Sequence, residues 1–306
     1  MDTYILLWAV IFIGSLIALL KASDWFVDAS ETIGLSLGIS PFVIGVTIVA
    51  FGTSLPELAS SVVAVISGDS QIVVGNVIGS NVANICLVLG VVAIVAGTIK
   101  MDFSVLDIDV PVLVASAILL WTFTHDGVIS MLDGLLLLGM LVIFLINSFR
   151  SHGAEPGVET HAGKRAFALL LVGAVGVYFG AKYIVESIQH LSEEMGIASG
   201  VIAATAVALG TSLPEVIVSV AAARKGKPGM AVGNVVGSNI FNSFGVMGVP
   251  ALFGTVEVPA EQIAFALPYM IGITVLFAFM AAANNVSRWE GVMLVGLYLI
   301  FVVEMF

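Results

Sequence analysis

The chain repeats itself. Sliding it by 158 residues aligns Val43 to Gly90 with Val201 to Gly248 without a gap, and 25 of those 48 pairs are identical. Chance likeness between apolar helices runs through Val, Leu and Ala, whereas these matches include Thr, Ser, Pro, Glu, Asn and Gly. The repeat is therefore a duplication. At its centre, Gly52-Thr53-Ser54-Leu55-Pro56-Glu57 recurs letter for letter as Gly210-Thr211-Ser212-Leu213-Pro214-Glu215. Each copy sets a helix-breaking proline and a carboxylate inside an apolar run. An ionisable residue deep in a membrane span costs about 2.5 to 3.5 kcal/mol on insertion scales, so its presence points to function.

The runs around the motif are those of a polytopic membrane protein: 59% of the 306 residues are apolar and only 10% charged, against roughly a quarter charged in a soluble domain. A net charge of -11 leaves no basic footprint for nucleic acid. The single cysteine, Cys86, excludes an intramolecular disulfide and reads as a small buried apolar residue. The N-terminus lacks the basic region and small-residue cleavage site of a signal peptide and reads as a first span.

A span needs about 20 apolar residues. That criterion predicts ten, near 4–28, 41–66, 72–98, 105–124, 130–149, 165–190, 199–223, 230–254, 259–283 and 287–305. The longest polar connection, 150–164, divides the chain into halves at 1–149 and 165–306. Equivalent positions are five spans apart, an odd number, so the second copy lies upside down relative to the first. The expected fold is all-α: ten transmembrane helices in two inverted five-helix repeats, with helices 2 and 7 broken.

Positive residues collect in cytoplasmic loops. Lys100, Arg150, Lys164, Arg165, Arg224, Lys225, Lys227 and Arg288 all fall at connections of one parity. This places both termini outside the cell membrane and the 150–164 loop in the cytoplasm. The opposite connections carry Asp69, Asp126, Glu193, Glu194, Glu257 and Glu261, either ordinary solvated charge or a means of concentrating cations. Lys21 and Lys182 lie within predicted spans and are expected to snorkel or to pair with a nearby carboxylate. His125, His152, His161 and His190 sit near predicted surfaces, so a mid-membrane histidine site has no residues to build it.

Proline at 56 has no amide hydrogen and clashes with the carbonyl four residues back, which predicts an opening around Ala50 to Thr53, eased by Gly52. Freed carbonyls are tolerated in a bilayer only where they line a cavity or bind something. Carbonyls, the Thr53 and Ser54 hydroxyls and the Glu57 carboxylate are oxygen ligands, suited to hard cations such as calcium and sodium. Ala50, Ser54, Glu57 and Ser61 share one helical face; the second copy offers Ala208, Thr211, Ser212 and Glu215. In the next span Asn76, Ser80 and Asn84 recur at four-residue spacing, as do Asn234, Ser238 and Asn242. These are read as coordinating or supporting residues, and the neighbouring Gly75, Gly79, Gly233 and Gly237 as a helix-packing face. Two carboxylates supply a charge that one calcium or two sodium ions neutralise.

The paired GTSLPE and GN..GSN..N motifs resemble the repeats of the calcium/cation antiporter superfamily, and in form the prokaryotic sodium/calcium exchangers. The resemblance implies that Glu57 and Glu215 ligate calcium together with carbonyls at Thr53 and Thr211. Sodium would share the glutamates and add Ala50, Ser54, Ser80, Ala208, Ser212 and Ser238, with Asn84 nearby. Certain members carry Asp where this chain has Asn242, which argues against potassium dependence. Residues 150–164 are too few for the regulatory insertion of animal exchangers.

The resulting expectation is a calcium/sodium antiporter working by alternating access, with a calcium/proton or other divalent exchanger as the alternative and a cation channel less favoured. No nucleophile–base arrangement suggests an enzyme. Beyond the transported ions and the bilayer no cofactor or partner is implied, and no segment marks a subunit interface, so the sequence sets no oligomeric state.

Overall fold

The computed structural model describes residues 3–100, 109–151, 162–194 and 212–305. They form eleven helices: α1 (Thr3–Ser36), α2 (Pro41–Thr53), α3 (Leu55–Ile66), α4 (Gln71–Ala96), α5 (Asp109–Thr124), α6 (Met131–Ser151), α7 (Lys164–Glu194), α8 (Leu213–Arg224), α9 (228–251), α10 (Gln262–Ala282) and α11 (Arg288–Met305). Five of them, α1, α4, α6, α7 and α10, are individually long and apolar enough to cross a bilayer. The pair α2 and α3, bent by 42°, makes a sixth. The chain is a mostly helical membrane protein. Two expected limits move: α1 runs on to Ser36 rather than ending near 28, and α7 to Glu194 rather than 190. Much of the seventh expected span, with the expected site residues Ala208 and Thr211, lies outside the described residues.

Local chemistry starts and stops these helices. Ser40 caps α2 by accepting from the Val43 N–H (3.4 Å), and Pro41 occupies the first turn, where no amide hydrogen is needed. Helices α6 and α11 open with reciprocal capping boxes, Ser130 with Asp133 and Ser287 with Glu290. The α3–α4 and α8–α9 turns close on Gly68 and Gly226, 158 residues apart, with φ of 87° and 76°, which glycine adopts without strain.

Packing sorts the helices into a core and a shell. Every residue from Met230 to Gly248 in α9 is buried, and α4 is buried over most of its length. By contrast α1, α6 and α7 expose Leu6, Val10, Ile13, Val142, Ile143 and Leu171, as helices facing lipid would. Glycines set the tightest contacts. A Cβ added at Gly173, Gly176 or Gly180 of α7 would meet Phe26, Ala22 or Leu19 of α1, so these helices cross antiparallel along a small-residue seam. A Cβ at Gly233 would strike the Phe42 carbonyl, and one at Gly237 the Val46 carbonyl, so α2 and α9 run parallel with their backbones in contact.

Two short antiparallel ribbons, unforeseen in the sequence, tie the ends of the helices together. Ile99 pairs with Val286 and Lys100 with Asn285; Val128 pairs with Glu257 and Ile129 with Val256. A shift of 158 carries the Ile99–Val286 pair onto Glu257–Val128, so the ribbons are equivalent joints between the halves.

Candidate cation-binding site

The proline acts as expected, slightly later in the chain. Helix α2 stays wound through Thr53 and α3 begins at Leu55, leaving Ser54 (φ -90°, ψ 5°) as the break. The Ala50 carbonyl still accepts from the Ser54 N–H at 3.0 Å, and the Leu58 N–H bridges back to the Ser54 carbonyl at 3.2 Å. The opening thus centres on Ser54, just past the expected Ala50 to Thr53, and Pro56 removes the amide hydrogen that the Gly52 carbonyl would have accepted. Ser212 repeats the geometry (φ -92°, ψ 0°), with the Val216 N–H on its carbonyl at 3.0 Å. Gly52 has a second role: a Cβ there would lie 2.6 Å from the Phe26 ring, so the glycine admits an α1 aromatic against the break.

The break at Ser54 and the start of α8 after Ser212 both aim their glutamates inward. Glu57 and Glu215 are each 1% exposed and close enough for their charges to interact. The Ser54 hydroxyl donates to Glu215 Oε1 at 3.4 Å, joining the first motif to the second. Around them Ala50, Thr53, Ser80, Asn84, Ser212, Ser238 and Asn242 are all buried. Glu57 Oε1 and Oε2, Glu215 Oε2, the Ser80 and Ser212 hydroxyls and both amide ends of Asn84 and Asn242 have no hydrogen-bond partner among the described residues. Buried polar atoms are nearly always satisfied, and leaving one unpaired costs about 1 to 3 kcal/mol. Half of the partnerless buried atoms fall on these expected ligands. All of these atoms but the amide nitrogens are oxygens, the donor type of hard cations.

A supporting layer surrounds these groups. Asn76 donates to the Ser61 hydroxyl (3.0 Å) and the Glu57 carbonyl (3.3 Å), steadying the first turns of α3. Its counterpart Asn234 donates to Ser219 (2.9 Å) and accepts from Thr53 (3.2 Å) and Ser238 (3.4 Å). Lower in the core Asn81 donates to Ser243 (2.9 Å), and Asn239 to the Asn81 carbonyl (3.1 Å). Wide five-residue turns begin at both Asn84 and Asn242, 158 residues apart. Such turns often mark functional positions in helices.

A sequence profile of the sodium/calcium exchanger proteins matches residues 7–150 and 165–306. The chain belongs to the sodium/calcium exchanger family. It is thus a membrane ion transporter of the antiporter type rather than an enzyme. Among exchangers, it is 36% identical to the sodium/calcium exchanger MaX1 of Methanosarcina acetivorans, over 95% of this chain and 96% of that protein. It is also 36% identical to an uncharacterized membrane protein of Methanocaldococcus jannaschii, over 96% of each. The fold is similar to that of the sodium-calcium exchanger NCX_Mj soaked with Na+ and Sr2+. The TM-score is 0.87 at 35% identity, covering 98% of this chain and 99% of that one.

Sequence reasoning missed three features of this site. Phe26 carries no motif, and its approach to Gly52 depends on how α1 crosses α2. The wide turns at Asn84 and Asn242 have no local signal beyond the repeated asparagine. Ser219 was legible, being Ser61 displaced by 158. Two further expectations concern charges and histidines at the surface. Lys182 lies 3.6 Å from Glu186, the carboxylate pairing expected of it. His190 bonds the Tyr4 hydroxyl (3.0 Å) and stacks on Trp8, away from Glu57 and Glu215.

Proposed function

We propose that the chain exchanges calcium for sodium across the cell membrane by alternating access. The single observation that carries this reading is the buried Glu57–Glu215 pair, set in the first turns of α3 and α8 and ringed by polar atoms without partners among the described residues. One calcium neutralises the pair; sodium ions competing for the same oxygens make the site an exchanger. Glu57 and Glu215 with carbonyls at Thr53 and Thr211 would hold calcium. Ala50, Ser54, Ser80, Ala208, Ser212 and Ser238 would complete the sodium sites, with Asn84 and Asn242 alongside. The transported ions are the only ligands this mechanism needs.

Alternating access by inversion calls for ten spans in two inverted repeats, 1–149 and 165–306, joined by a cytoplasmic 150–164 loop, with both termini outside. Three facts support it. The equivalent helices α1 and α7 pack antiparallel. Helix α9 runs parallel to α2, although its equivalent α4 turns back from α3 at Gly68. Asn76 is only partly buried while Asn234 is fully buried, so the two halves differ in exposure, as a transporter caught facing one side would.

The test is flux in reconstituted vesicles. Calcium uptake should follow an opposing sodium gradient and vanish when both glutamates become glutamine. Uptake of equal rate without sodium would overturn the reading, and uptake driven by a pH gradient would establish the proton-coupled alternative.

A further inference from the structure

Thr53 has one hydroxyl hydrogen and several acceptors. The carbonyls of Val49 (3.2 Å) and Ala50 (3.3 Å) lie on its own helix, and Asn234 Oδ1 (3.2 Å) on α9 of the other repeat. The Ala50 carbonyl already accepts one hydrogen, from the Ser54 N–H at 3.0 Å. A carbonyl oxygen has two lone pairs, so a single acceptor position remains. Either the Thr53 hydrogen or a cation can take it.

Asn234 is built to draw that hydrogen away. It is fully buried, and its amide nitrogen donates to Ser219 at 2.9 Å, which turns its oxygen toward Thr53. The Ser238 hydroxyl donates to the same oxygen at 3.4 Å and helps hold the amide in that orientation. The Thr53 hydroxyl also lies near the Glu215 carboxylate, but a cation seated on Glu215 engages those oxygens. With the site loaded, the choice narrows to Asn234 or the helix carbonyls. A threonine that bonds back to its own helix is the ordinary outcome when nothing competes.

Building on the exchanger reading above, we propose that Asn234 is a positioning residue for sodium: by holding the Thr53 hydroxyl hydrogen across the repeat interface, it keeps the Ala50 carbonyl open to the ion. Calcium, which that reading assigns to the glutamates and to the Thr53 and Thr211 carbonyls, does not need Ala50. The device therefore acts on sodium selectively, and it explains why Asn234, one helix away from the break, is hydrogen-bonded at both ends of its amide while Asn84 and Asn242 are bonded at neither among the described residues.

The test uses the full chain in vesicles, with sodium and calcium half-saturation measured separately for Asn234→Ala, Thr53→Val, the double variant and Thr53→Ser. One redirected hydrogen bond predicts a sodium half-saturation raised roughly three- to tenfold in Asn234→Ala. Calcium half-saturation should move by less than about twofold, the range in which uncoupled sites lie. In Thr53→Val no hydrogen remains to compete, so adding Asn234→Ala should shift sodium by less than about twofold; Thr53→Ser should restore the dependence on Asn234. Should Asn234→Ala fail to fold, Ser219→Ala, which only loosens the amide, must shift sodium in the same direction. Equal shifts for both ions, or an undiminished effect of Asn234→Ala on Thr53→Val, overturn the proposal while leaving exchange intact. A wild type without sodium-driven flux overturns the exchanger reading and this inference with it.

Discussion

The Ser54 hydroxyl donates to Glu215 Oε1 at 3.4 Å, across 161 positions of sequence. This bond ties the break of one repeat to the carboxylate of the other. A cation site assembled this way would exist only when both halves are folded and docked, which would couple ion binding to the packing of the halves.

Charge at the pair is the first prediction. Glu57→Gln and Glu215→Gln should each lower sodium-driven calcium flux by about tenfold or more, a loss of at least ~1.4 kcal/mol of ion binding. Calcium at 100 times its Kd should stabilise the wild type by about 2.7 kcal/mol, a gain both variants should lack in thermal denaturation in detergent. Retained flux together with retained calcium stabilisation would exclude these carboxylates as ligands.

A second prediction concerns the α2–α9 contact. A Cβ at Gly45 would meet the Met230 carbonyl and one at Gly237 the Val46 carbonyl. Both obstacles are backbone, so no side-chain rotation relieves them. Gly45→Ala and Gly237→Ala should destabilise by about 1 to 3 kcal/mol, as overpacked cores do. Gly14→Ala, at an exposed position of α1 with nothing within 4 Å, should leave the melting temperature unchanged.

At the end of α1, Lys225 pairs with Asp24 (3.3 Å) and Asp28 (2.8 Å), and Lys227 pairs with Glu31. Exposed ion pairs contribute less than about 1 kcal/mol, so Lys225→Gln/Lys227→Gln should hardly change the melting temperature. Its effect should be local: faster amide exchange over residues 24–36, reproduced in the wild type by raising the salt concentration, which screens such pairs. Unchanged exchange in the double variant would show that these pairs do not hold α1 against the α8–α9 turn.

Asn242 leads to the fourth. With an amide rather than a carboxylate at that position, calcium flux at fixed sodium should not respond to external potassium. Asn242→Asp should introduce a potassium response. A wild type stimulated by potassium would show that the exchanger recruits that ion without a third carboxylate.

The duplicated motif was legible from sequence because its cause is local. A proline without an amide hydrogen breaks its own helix, and a glutamate one position later inherits the direction of the break, wherever the helix lies. The same holds for the hydroxyls and asparagines recurring at four-residue spacing. Helix existence followed from the length of the apolar runs. Their ends did not: α1 runs past the expected limit near 28 to Ser36, carrying Glu31, which pairs with Lys227 196 residues away.

Which groups meet was decided by tertiary packing alone. Nothing near Thr53 in the chain indicates that its hydroxyl faces Asn234, or that Phe26 leans on Gly52. Those contacts depend on the glycine seams that bring α9 against α2 and α7 against α1. Backbone geometry acts within a few residues and can be read along the chain, whereas a hydrogen bond between repeats depends on how whole helices dock.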